Sequence, residues 1–113
     1  MKKSHVSKTL LHLVFLAIFA MPLVAHAATI NVTASATDTL NGTDGQCSLR
    51  EAITNINNGA STYADCVPTG AYGTSDTIHI PAGTYTTAIT TYTISNNVSI
   101  VGAGAGTTII NGG

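Results

Sequence analysis

Three observations predict a mainly β chain, built as a solenoid of stacked rungs and begun by one short capping α-helix. One amphipathic helix signal lies between Cys47 and Gly59, short alternating strands run from Asp76 onward, and Asn and Gly occupy the corners between them. A β-sandwich uses short strands too, and about 86 residues behind a leader can bury a modest core. Asn-rich corners, which tolerate left-handed backbone angles, favour the solenoid.

The first 27 residues are set apart as a signal peptide. Lys2, Lys3 and Lys8 precede an apolar run from Leu10 to Met21, followed by Pro22 and the small-residue site Ala25-His26-Ala27. That is the three-part layout of a secretory leader, with the cut expected after Ala27. The run is short of the roughly 20 apolar residues that a spanning helix needs, so an uncleaved membrane anchor is the weaker reading. Every lysine departs with the leader. Arg50 then faces Asp38, Asp44, Glu51, Asp65 and Asp76, a net charge of −4. Nucleic acid is a poor partner for such a surface, because phosphate contacts require several Lys or Arg.

Thr29 to Ala34 alternates apolar with polar, the pattern of a half-buried strand. Asp38 to Gly45 is a turn-rich loop carrying Asn41-Gly42 and Asp44-Gly45. Ser48 and Glu51 then stand in the S-x-x-E relation of a capping box, which starts a helix over 48–57. Leu49, Ala52, Ile53 and Ile56 share one face of it, and Asn57-Asn58-Gly59 supplies the stop.

Cys47 and Cys66 are the only cysteines, and in an oxidising compartment they are expected to form one disulfide. A metal pair or a redox dithiol is the weaker alternative, since no C-x-x-C spacing exists and His79 is the only histidine past the leader. The bridge would pin the long loop from Asn58 to Ser75. Residues 28–75 thus read as an N-terminal cap and 76–113 as the first rungs. Their strands are expected at Thr77–Ile80, Thr84–Thr86, around Tyr92 and Ile94, at Val98–Val101, and from Thr107 to Ile110.

Three stretches, Cys47-Ser48-Leu49-Arg50-Glu51-Ala52-Ile53, Asp76 through Tyr85, and Val98 through Gly104, together resemble the CSLREA domain. The resemblance spans Thr29 to Gly113 and implies the N-terminal region of an exported bacterial protein that leads into a right-handed parallel β-helix. Ile56-Asn57 stands where members commonly carry Ala-Asn, which keeps the buried face apolar. Family proteins usually continue through many rungs, so the chain is expected to be the N-terminal piece of something longer, or a truncated copy.

No cofactor, metal or catalytic group is expected. Gly102, Gly104 and Gly106 do not match the dinucleotide-binding fingerprint: the third glycine falls one residue early and Thr107 to Ile110 reads as strand. Asp38, Asn41 and Asp44 lack the spacing of a calcium loop and are explained by Asx-turns. Asp65 and Asp76 bracket a loop without the geometry of a glycosidase pair. Ser48 is a cap rather than a nucleophile, and Arg50 is assigned to organising the cap.

The expected function is a non-enzymatic cap module of a secreted or surface-exposed, adhesin-like protein, meeting surface glycans or neighbouring cells. The alternative is the N-terminal fragment of a carbohydrate-active enzyme, a lyase or hydrolase, whose active site lies beyond the chain end.

Overall fold

The computed structural model describes residues 26–34, 42–86 and 91–112. Most of the expected leader, and Asp38 and Asn41 of the first loop, lie outside them. The described chain holds β1 (Thr29–Asn31), α1 (Leu49–Asn58), β2 (Asp76–Ile80), β3 (Gly83–Thr86), β4 (Val98–Gly102) and β5 (Thr108–Asn111). The strands form two small parallel sheets, one ordered β1-β2-β4 and the other β3-β5.

This arrangement corrects the expected right-handed parallel β-helix. A solenoid repeats one unit at near-constant spacing, so each rung stacks on the last. Here Thr29 pairs with Thr77, 48 positions on, Asp76 with Val98, 22 on, and Gly83 with Thr108, 25 on. The first sheet has three strands and the second two, and a helix occupies the first crossover. Asn and Gly at corners were a poor guide because any parallel crossover needs corners. Composition cannot separate one crossover from many equal ones.

The run around Tyr92 and Ile94, expected as a strand, is none. Side chains of α1 satisfy its backbone instead: Asn57 Nδ2 donates to the Thr93 carbonyl (2.7 Å), and Asn57 Oδ1 accepts from the Ser95 N–H (2.9 Å). Asn96 closes the same contact by donating to the carbonyls of Ile56 and Asn57. These two carbonyls belong to the last turn of α1, where the regular helical N–H donors run out and Gly59 supplies only its own N–H, to Ile56 at 3.1 Å.

Helix α1 begins where the capping box places it and ends at Gly59, whose φ of 59° is left-handed. Its face of Leu49, Ala52, Ile53 and Ile56 packs on Ile30 and Val32, on Ile78 and Ile80 of β2, and on Tyr85 of β3 in one core. Burying each large aliphatic side chain contributes about 1.5–3 kcal/mol. Alternation in β2 turns Asp76, Ile78 and Ile80 inward and leaves His79 exposed.

The two edges of the larger sheet differ. Along β1, Thr29 exchanges both backbone hydrogen bonds with Thr69 (2.9 and 2.8 Å), in an isolated antiparallel bridge. Just beyond it, the N–H groups of Thr33 and Ala34 donate to the Cys47 carbonyl, and Thr33 Oγ1 accepts from the Cys47 N–H. That edge is sealed by the cystine region. At the other end β4 has β2 as its only strand neighbour among the described residues, and Val101 is 43% exposed. Ile109 and Ile110 on β5 are similarly open.

Candidate functional site at the helix start and cystine

Cys47 and Cys66 are joined in a disulfide, 19 positions apart with Cα atoms at 4.7 Å, and both are buried. Next to it the capping box is complete. Ser48 Oγ accepts from the Glu51 N–H at 3.2 Å, while Glu51 Oε2 accepts from the Ser48 N–H at 2.9 Å. Glu51 does more than cap, since its Oε1 also accepts from the Gly42 N–H at 2.6 Å and so ties the preceding loop to the helix. A carboxylate in the first turn is favoured by the helix dipole as well.

Arg50 is half-buried, its guanidinium 4.8 Å from the centre of the Tyr92 ring. Together with Thr54, Asn57 and Thr91 these two side chains line a small polar hollow beside α1. Tyr92 thus belongs to the same assembly as Cys47, Ser48 and Glu51, a link that no local pattern announces.

The remaining carboxylates hold backbone. Asp65 Oδ2 accepts from the N–H groups of Asp44 (3.0 Å) and Gly45 (3.3 Å), and Asp44 Oδ1 accepts from Gln46 in an Asx-turn. Asp76, read from sequence as a loop bracket, is buried and accepts from the N–H groups of Ala28 and Gly73. Its place on the inner face was legible, because positions 76, 78 and 80 share one side of a strand. Asn55 is the other residue that sequence reasoning missed. It lies fully buried on the apolar face of α1.

Oxygens of Glu51 and Asp65 and the sulfur of Cys66 lie within 4.8 Å of one another, and Asp65 Oδ1 is buried without a hydrogen-bond partner. This is not the donor set of a metal centre. The sulfur is committed to the disulfide and has no thiolate to offer, and each Glu51 oxygen already holds an N–H. What the assembly can do chemically is clamp three segments, the loop at 42–46, the start of α1 and the loop around Cys66, onto the edge of β1.

Comparison of the chain with protein-family models, with curated proteins and with solved structures finds no match. Among the described residues no helix is long and apolar enough to cross a membrane.

Proposed function

We propose that this chain is a non-enzymatic structural module of an exported protein, closing one edge of a parallel sheet and presenting the other for further strands. The observation that carries the reading is the asymmetry of the larger sheet. Thr69 and Cys47 occupy the backbone groups along β1, whereas among the described residues β4 ends the sheet, with Val101 exposed. Unpaired strand edges recruit other strands, so an end that is sealed at one side and apolar at the other has a direction of growth.

Two further features support it. Glu51, Asp65, Asp44 and Asp76 each hold at least one backbone N–H, as scaffolding carboxylates do. The leader-like first 27 residues and the Cys47–Cys66 bond suit an oxidising compartment outside the cytoplasm. The resemblance to the CSLREA domain points the same way. A secreted or surface location, an adhesin-like parent and contact with surface glycans belong to this reading, and a nucleic-acid partner does not.

Amide exchange and sedimentation of residues 28–113 test it. The Thr29 and Thr33 amides should exchange slowly and the outward amides of β4 quickly, and the chain should self-associate as concentration rises. Val101→Lys and Ile110→Lys should suppress that association without lowering the melting temperature, because lysine on an edge deters strand addition. A chain that stays monomeric at millimolar concentration, with β4 protected as well as β1, overturns the proposal.

A further inference from the structure

We propose that removal of the leader after Ala27 converts the hydrogen bond between Ala28 and Asp76 into a buried ion pair, so that processing during export locks the fold. The inference rests on the export reading above and adds a site to it, the new N-terminus.

In the unprocessed chain the Ala28 N–H donates to Asp76 Oδ1 at 2.7 Å, and both residues are at most 1% exposed. The other partner of this carboxylate is the Gly73 N–H, at 3.0 Å from Oδ1 and 3.2 Å from Oδ2. A buried carboxylate held by backbone N–H groups alone is expensive to desolvate, and a cation beside it offsets that cost. The mature chain has few cations to supply. It contains no lysine, and its one arginine, Arg50, lies over Tyr92.

Leader cleavage creates the missing charge in place. A leader peptidase adds water across the Ala27–Ala28 peptide bond. The carboxylate stays on Ala27 and departs with the leader, and the Ala28 nitrogen becomes an amine that takes up a proton near neutral pH. The ammonium has little freedom to leave, because the Ala28 carbonyl accepts from the Thr77 N–H at 2.8 Å and Thr29 opens β1 directly after it. The amide bond to the carboxylate is already charge-assisted through its acceptor, and the ammonium adds a full charge on the donor side, turning it into an ion pair.

Gly70 and Gly73 complete the site. The carbonyls of Ala27 and His26 lie too close to these glycines to admit a side chain on either, and both carbonyls leave with the leader. The exposed residues 26 and 27 thus cover the Ala28 nitrogen only until the cut.

The test uses the full precursor expressed in a bacterial host and the chain recovered after export. Intact mass comes first. An uncleaved chain sinks the export reading and the proposal with it, a cut at another position overturns the proposal alone, and a start at Ala28 leaves the ion pair to be judged by itself. Because all three lysines lie in the leader, the Ala28 α-amino group is the only primary amine of the mature chain, and an amine-selective acetylating reagent reports on it without ambiguity. The folded chain should acetylate at least about tenfold more slowly than the chain in urea, and Asp76→Asn should lose most of that protection. The acetylated chain, which keeps an N–H but no charge, should melt at a lower temperature. Equal acetylation rates in the presence and absence of urea, or an unchanged melting midpoint after acetylation, overturn the proposal; these arms decide it even if Asp76→Asn fails to fold.

Discussion

Asn55 and Tyr63 are joined in both directions: Asn55 Nδ2 donates to the Tyr63 carbonyl at 2.9 Å, and Asn55 Oδ1 accepts from the Tyr63 N–H at 2.8 Å. The same Nδ2 reaches toward the Cys66 carbonyl at 3.4 Å. A fully buried amide on the inner face of α1 therefore reads the loop as a neighbouring strand would. Asn55→Ala takes the partner from the part-buried Tyr63 N–H and leaves the Tyr63 carbonyl with only the Cys66 N–H at 3.3 Å, which should cost about 1–3 kcal/mol in urea denaturation. Asn58→Ala, on the exposed side, should cost less than about 0.5 kcal/mol. Equal costs for the two would remove Asn55 from this account.

The cystine closes a loop of 19 positions around α1 and its following turn. Replacing both cysteines by serine should lower stability by about 3 kcal/mol, the chain-entropy value for a loop of that size. Both sulfurs are buried, so a mild reductant should act slowly on the folded chain and quickly in urea. Rapid reduction without denaturant would contradict the burial.

Arg50 and Tyr92 should show a coupling of about 0.5–1 kcal/mol in a double-mutant cycle with Arg50→Ala and Tyr92→Leu. Arg50→Ala alone should lower the melting temperature, with Arg50→Lys falling between it and the wild type. An unchanged melting curve for Arg50→Ala takes the arginine out of the structural role.

Tyr85 is buried and donates to the Pro81 carbonyl at 3.3 Å, and burial raises the pKa of its phenol. The folded state thus keeps its proton to higher pH than the unfolded state, whose phenol ionises near about 10. Stability from this group is complete below that pH. It is lost as pH rises above it, because the unfolded chain then binds fewer protons. Denaturant midpoints measured from pH 8 to 11 should fall beyond about pH 10, and Tyr85→Phe should flatten that fall.

Local signals carried much of the architecture. Ser48 and Glu51 announce the start of α1, Gly59 its stop, and the alternation of Asp76 through Ile80 a strand, because each rests on contacts a few residues apart. The misreadings concern distance. Which strands pair, and at what offset, depends on the 48 positions between Thr29 and Thr77, and nothing in Asn-rich corners records it. Tyr92 and Ile94 alternate like a strand, yet Asn57 takes the backbone bonds there that a strand would have offered a neighbour. Asn55 was invisible for a related reason. One amide in an apolar face is read as a flaw until its partner across the loop is known.

Arg50 has one more consequence. A trypsin-like protease cuts after lysine or arginine, and residues 28–113 contain a single such position. That peptide bond lies in the first turn of α1, with Glu51 beyond it fixed to Ser48 and Gly42. Digestion must wait for the helix to open. The lifetime of the intact chain in such a protease is therefore a clock for the unfolding of its most tightly clamped segment.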